Sequence, residues 1–433
     1  MFGLYGYRMS ERKKTGPGRN RNSAAGRVSG RANAARHRAS ERDTPRPAEA
    51  VVTIEKIVPG GDGMARLSGK VAFVPFTLPG ESVRIRVVRD RKDFLIAEPT
   101  EILAPSADRR EPPCPLFTRC GGCSLQHMSY EAQREAKREI VRDAFARVGR
   151  LELPAPEIVS ADELYYRNRI QFHRTADGRL GFMRRDSNAV ITVKRCFIAA
   201  DPINRLFADQ TPGAPGRFTA FGFGDRLWVQ SDGPGRSGDQ DEAGGAETVG
   251  IELLGKQFEF GVRGFFQSNI GMLEKLVPDL VEAACRVRRG DGTVVDLYAG
   301  TGVFGSFLAE RFSRVVSVEH NRYSIASARV NIHGSGHLFF AEDADRWVSG
   351  PSAVRVPDLV VVDPPRSGLS AAVRTYLTGS GVSALAYVSC DPVTLARDAA
   401  FLASSGFTLE GLTLYDFYPQ TPHIESLAVF VRR

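Results

Sequence analysis

Two groups of residues in this sequence have the types and spacing to do chemistry, and both involve cysteine. Cys114, Cys120 and Cys123 sit on one loop, with Gly121 and Gly122 between the last two. Glycines let a backbone wrap closely around a ligand. Three thiolates need a fourth partner, and Cys196 follows Arg195 at the end of a predicted strand. A cytosolic chain of this size, as expected here, should keep its thiols reduced, so clustered cysteines point to metal or catalysis. Zinc prefers two close pairs, whereas three plus one suits a four-iron cube. The spacing therefore ranks an iron–sulfur cluster first, zinc second and plain buried thiols third. The second group centres on Cys390, in Ser389-Cys390-Asp391-Pro392 at the end of another predicted strand. A thiol on that rim suits C5 of a pyrimidine. Attack at C6 makes C5 enolate-like and able to take a methyl group. A base must then remove the C5 proton, and His423-Ile424-Glu425 offers one. The bland alternative is a buried structural thiol.

A glycine-rich loop lies upstream. Gly300, Gly302 and Gly305 follow the apolar run Val294–Leu297 and precede a helical pattern, the context of a nucleotide-type loop. Glu319 ends the next strand, where a carboxylate can bind ribose hydroxyls. Nicotinamide cofactors and S-adenosylmethionine (SAM) both use this layout. Asp296, just before the loop, would repel a pyrophosphate but suits the ammonium and sulfonium charges of SAM. Asp343, after the third strand, could accept from an adenine amino group. Three acids at successive strand ends favour SAM. Asp363-Pro364-Pro365-Arg366 ends the fourth strand, with two prolines stiffening the substrate entrance.

The elements that must position these residues can be read in outline. From about Gly271 helices and buried-type strands alternate, which predicts a doubly wound α/β domain. Tyr130 to Val148 reads as an amphipathic helix. Ile158 to Phe266 reads mainly as strands, with Ser231–Thr248 a loop inserted in a hairpin between Arg226–Gln230 and Val249–Leu253. Five short strands between Val51 and Ile102 suggest a small OB-like barrel. Arg84, Arg86, Arg89, Arg91 and Lys92 cluster late in it and could face single-stranded nucleic acid. The chain has 433 residues, 42% apolar and 25% charged, and a net charge of +8. Residues 1–50 carry twelve Lys/Arg and four acids, so they hold the whole excess. That segment has little to bury and reads as a disordered basic arm suited to a polyanion. No run approaches the ~18 apolar residues of a spanning helix. The expected location is the cytoplasm, with no membrane partner.

Taken together, these residues resemble the RNA uracil-C5 methyltransferase family. The set comprises the four cysteines 114, 120, 123 and 196, Asp296-Leu297-Tyr298-Ala299-Gly300-Thr301-Gly302, Asp363-Pro-Pro-Arg366, Ser389-Cys390-Asp391-Pro392 and His423-Ile-Glu425. The resemblance spans residues 50–433. It implies a multidomain α/β protein: a TRAM (OB-like) barrel at 50–103 behind the tail 1–49, and a central iron–sulfur, RNA-binding unit from 104–125 and 158–262. A class I, Rossmann-like SAM-dependent methyltransferase domain would come from 126–157 and 263–433. It implies Cys390 as nucleophile, Glu425 as general base, and a [4Fe-4S] cluster on the four cysteines. Gln267, Tyr298, Glu319 and Asp363 match cofactor-site positions, and Phe265 an aromatic that stacks on a flipped base. Asp391 departs from the pattern, where Asn is commoner. The reading is methylation of a uridine to 5-methyluridine, in 23S rRNA ahead of tRNA, by a monomer. Its competitors are a nicotinamide oxidoreductase and a catalytically inactive RNA-binding module.

Overall fold

The computed structural model describes residues 49–209, 213–231, 247–287 and 292–432. The expectations for the basic tail and for the body of the Ser231–Thr248 loop fall outside the described residues. Six strands, Glu49–Thr53, Lys56–Ile57, Gly63–Leu67, Lys70–Val74, Ser82–Asp90 and Phe94–Ala104, form the first sheet. Alternation in Ser82–Asp90 turns Val83 and Ile85 into the core and Arg84 and Arg86 outward. The single strand expected over Val51–Ile57 is broken in two. At the break the Ile54 amide donates to Glu81 O and its carbonyl accepts from Gly80, which takes it out of the ladder. The basic cluster is also thinner than expected. Arg84 pairs with Glu101 at 3.1 Å and Arg86 with Glu98 at 2.8 Å, each directly across the strand. Arg89, Arg91 and Lys92 are left at the exposed tip.

Arg169–Arg174, Leu180–Met183, Val190–Thr192, Gly216–Phe223 and Arg226–Ser231 form an antiparallel sheet under the helix Asp201–Asp209. The strand Gly216–Phe223 and that helix were not foreseen. Glycines at 216 and 222 interrupt the strand's apolar alternation. The hairpin expected across Ser231–Thr248 does not form. Arg226–Ser231 pairs with Gly216–Phe223, whereas Thr248–Leu253 pairs with Lys256–Gly261. The reason is burial: Val249, Ile251, Leu253, Phe258 and Phe260 share a core with the helix Ile270–Val287.

The largest sheet has eight strands, in the order Leu338–Ala341, Arg314–Glu319, Thr293–Leu297, Leu359–Val362, Ala384–Ser389, Glu425–Arg432, Phe407–Tyr415, Glu157–Val159. The first five are mutually parallel. Glu425–Arg432 runs antiparallel to both its neighbours. Leu359–Val362 and Ala384–Ser389 are buried at every residue, as strands covered on both faces must be. Glu157–Val159 joins this sheet, and the hairpin Thr248–Gly261 packs on its core. The helix Tyr130–Ala144 is capped by Ser129 and continues as one π turn, Phe145–Gly149. It lies against the helix Pro392–Ser404, so closely that a Cβ at Gly149 would sit 3.1 Å from Ala396 O. Among the described residues no helix is long and apolar enough to cross a membrane.

Candidate active site

The strand order reverses between Thr293–Leu297 and Leu359–Val362, and ligands of such sheets bind at the carboxyl ends beside that point. The expected residues gather there. Tyr298 has φ +64°, a strained setting for a side-chain-bearing residue, and begins the glycine loop. Gly302 has φ +81°, and a Cβ there would lie 2.9 Å from the Ala328 Cβ, so only glycine fits. Glu319 folds over the loop, accepting from Gly300 N at 3.1 Å and Asn321 N at 2.8 Å. Asp343 caps the short helix Ala344–Ser349, accepting from Asp345 N. It also lines a concavity of about 440 Å³ with His320, Phe339, Phe340, Ala341, Glu342 and Arg346.

Three carboxyl groups share one field. Burial pushes Asp296 up to about 8, reinforced by Asp363 and Glu319. Burial and Glu319 push Asp363 up to about 7. Both Asp296 oxygens and the Oε1 of buried Gln267 have no hydrogen-bond partner. A buried acid short of hydrogen-bond partners beside a second buried acid is what a cationic ligand would complete, and SAM carries two positive charges. A nicotinamide cofactor brings a pyrophosphate, which this field repels. The sign of the pH dependence follows. Carboxyls that receive a cation must lose their protons, so SAM affinity is expected to rise with pH through about 7 to 8, roughly tenfold per pH unit for each proton released. Calorimetry in buffers of different ionisation enthalpy measures that release. A dissociation constant flat between about pH 6 and pH 8.5 would refute the assignment.

Cys390 and Glu425 are 35 residues apart in sequence, yet the reversed strand brings them together. The antiparallel ladder closes with Ser389 opposite Ser426, which sets the next pair, Cys390 and Glu425, at the ladder's end. Burial, then Glu425 and Asp363, push the thiol up to about 12, against the pull of Arg366. Burial and Asp363 raise the fully enclosed Glu425 well above the usual carboxylate range. His423 lies the other way: burial, Arg366, Lys137 and Arg167 lower it to about 3. Of the two bases read in His423-Ile-Glu425, the imidazole is the weaker. Arg366 Nη2 stands 3.3 Å from its Nδ1, a role unread although the motif was quoted. Asp391 caps the helix Pro392–Ser404 through Val393 N and Thr394 N, and Pro392 suits the first helical position. Phe265 is 60% exposed while its neighbour Phe266 is buried, stacked 4.0 Å from Phe260. That anchor leaves the Phe265 ring exposed.

The four loop cysteines also come near one another. Cys120 is raised to about 11 and Cys123 further, by burial and by the charges of the other thiols. Cys196 is raised for the same first reason, with Cys114 adding to it. Gln126 accepts from Cys114 N at 3.2 Å, and Asn204 Oδ1 accepts from Cys196 N at 2.7 Å. Among the described residues no three potential ligands converge as a single metal ion requires. Zinc would draw sulfurs to about 2.3 Å from one point.

A doubly wound sheet with a reversed strand beside its last parallel one, a glycine loop and a cation-hungry acid pair defines a SAM-dependent methyltransferase. A TRAM domain model matches residues 48–100, and a model described as tRNA (Uracil-5-)-methyltransferase matches 356–433. The chain is 33% identical to an uncharacterized RNA methyltransferase of Treponema denticola, over 88% of this chain and 98% of that one. It is also 33% identical to the 23S rRNA (uracil(1939)-C(5))-methyltransferase RlmD of Chromohalobacter salexigens, over 88% and 89%. The crystal structure of Pyrococcus abyssi tRNA (uracil-54, C5)-methyltransferase with S-adenosyl-L-homocysteine shares the fold. Its TM-score is 0.68 at 23% identity, over 88% of this chain and all of that one. The chain belongs to the TRAM-containing RNA uracil-C5 methyltransferase family. It is an enzyme that uses SAM to methylate C5 of uracil in RNA.

Proposed function

We propose that the target is a uridine of ribosomal RNA, in the large subunit. What supports this over tRNA is the relative named for 23S rRNA, which aligns over 88% of this chain. The tRNA reading draws on the family model over the last 78 residues and on a likeness of fold. The single observation that carries the chemistry is the ladder that ends with Ser389 opposite Ser426, one residue short of Cys390 and Glu425, with the Glu425 charge acting on the thiol. The thiolate of Cys390 adds to C6 of the uracil, and the electron pair moves to C5. Bound SAM supplies the methyl group that C5 takes. Glu425 accepts the C5 proton, the Cys390–C6 bond breaks and the thiolate returns. Burial raises the basicity of Glu425, which fits it to that proton transfer near neutral pH. Phe265 would stack on a base flipped into the cleft. Gln267, Tyr298, Glu319, Asp343, Asp363, Asp296, Gly300 and Gly302 would line the SAM site.

Cys114, Cys120, Cys123 and Cys196 would hold a [4Fe-4S] cluster. What supports this is the three-plus-one spacing and the mutual effect of the thiol charges on Cys120 and Cys123. The cluster's role is to shape the RNA-binding region, with no electron transfer in the reaction. The enzyme would act as a cytoplasmic monomer. Nucleoside mass spectrometry tests the target. Protein purified without oxygen, assayed for iron and sulfide, is incubated with SAM and separate pools of unmodified rRNA and tRNA. New 5-methyluridine is expected in rRNA. Its appearance in tRNA alone would overturn the target and leave the chemistry.

A further inference from the structure

The segment that leads into Glu425 is clamped at one residue. Gln420 has φ +68°, a left-handed setting that persists in a side-chain-bearing residue only when its surroundings over-determine it. It is fully buried, and each of its polar groups is engaged. Its amide N–H donates to Gln133 Oε1 at 2.9 Å. Its carbonyl accepts from Ser124 N and Leu125 N, both at 3.0 Å. Its Oε1 accepts from Gln133 Nε2 at 3.0 Å and Arg110 Nη2 at 3.2 Å, and its Nε2 donates to Glu163 Oε2 at 2.9 Å. The same stretch is held on either side. Lys137 Nζ donates to Tyr418 O at 3.1 Å and Tyr166 Oη to Pro419 O at 2.9 Å. A Cβ at Gly61, in the barrel's first turn, would lie 3.3 Å from Pro422 and 3.1 Å from Ser124 Oγ. The barrel, the cysteine loop and the helix Tyr130–Ala144 thus converge on the residues just before the general base.

We infer that Gln420 is a positioning residue for Glu425, and that the cysteine loop sets the base through the amide hydrogens of Ser124 and Leu125. The inference rests on the proposed role of Glu425. Buried polar networks act as units: removing one member leaves Gln133 and Arg110 short of partners and frees the left-handed turn. The nucleophile is held separately, by the strand Ala384–Ser389 and the Asp391 cap. Loosening Gln420 therefore slows the step that needs the base and spares addition and methylation, which need the thiol. The signature is a covalent RNA–protein complex that accumulates, and general destabilisation cannot produce it.

The experiment compares Gln420→Ala, Gln420→Asn and Glu425→Gln with SAM and an unmodified rRNA transcript, quenched in denaturant. Gln420→Ala is expected to turn over about tenfold to 100-fold more slowly and to leave a denaturant-resistant complex, with SAM and RNA affinities within about twofold of wild type. Gln420→Asn tolerates the left-handed φ but has a shorter amide, so it keeps the fold if Gln420→Ala does not. It is expected to give the same complex. Wild-type turnover in either variant, or slow turnover in Gln420→Asn without the complex, overturns the inference. Glu425→Gln is the reference. A complex there and none from the Gln420 variants refutes the positioning role alone, whereas none from Glu425→Gln refutes the base assignment itself.

Discussion

Cys390→Ala is expected to abolish methyl transfer, a loss on the order of 10⁴-fold or more, while SAM and RNA still bind. The magnitude follows from the reaction. C5 of uracil is too weak a nucleophile to take a methyl group unless C6 is attacked first, and alanine offers nothing to attack with. No neighbour can substitute. Ser389 Oγ is turned into the chain, bonded to Asp391 O at 3.1 Å. The thiol is costly to ionise in the free protein, held up to about 12 chiefly by burial and the Glu425 and Asp363 charges. A cation in the acid pocket would cancel part of that field and ease ionisation. The wild-type rate should therefore depend on SAM occupancy before any methyl moves. Exchange of the uracil C5 hydrogen for solvent, measured without SAM, should be slow and should vanish in Cys390→Ala. Methylation by Cys390→Ala at even a tenth of the wild-type rate would refute covalent catalysis.

What the sequence disclosed and what it hid divide along a physical line. The glycine loop, the acid at each strand end and Asp363-Pro-Pro-Arg366 are local motifs, because backbone conformation and strand edges impose them within a few residues. The long apolar runs Leu359–Val362 and Ala384–Ser389 announced a sheet covered on both faces. The hidden features are pairings between distant segments. Lys137 and Asp416 are both fully buried and meet at 2.5 Å across 279 residues, with no spacing to betray them. Lys137 is one of several charged residues interleaved with the apolar stripe of the helix Tyr130–Ala144. Burying such a pair is tolerable only with close geometry, which one dimension does not show. Gln420 and Gln133 are 287 residues apart and were passed over for the same reason. The hairpin expected across Ser231–Thr248 failed for a related one. Each strand had a convincing pattern, but the partner of each was chosen by the core beneath it.

Glu425→Gln carries the second large effect, and it separates two halves of the reaction. Glutamine is nearly the same size and cannot accept a proton. Attack by the Cys390 thiolate and methylation at C5 do not need Glu425 as a base, so both should proceed once. The C5 proton then has nowhere to go, the Cys390–C6 bond cannot break, and enzyme and RNA stay joined. The expected readout is one methyl group per chain in a denaturant-resistant complex, with turnover down by about 10² to 10⁴-fold. The environment sharpens the expectation. His423, lowered to about 3, is too weak a base to stand in near neutral pH. Asp363 is buried at the same site, but the mechanism leaves it facing the cofactor's charge, which lowers its basicity. Removing Glu425 also deletes the first of the three carboxylates, Glu425, Asp363 and Asp391, that hold the thiol up, so Cys390 in the variant should ionise more readily than in wild type. Trapping should therefore begin at least as fast as the wild-type reaction. A variant that turns over without a trapped complex would mean that the proton leaves C5 by another route, and would assign the base elsewhere.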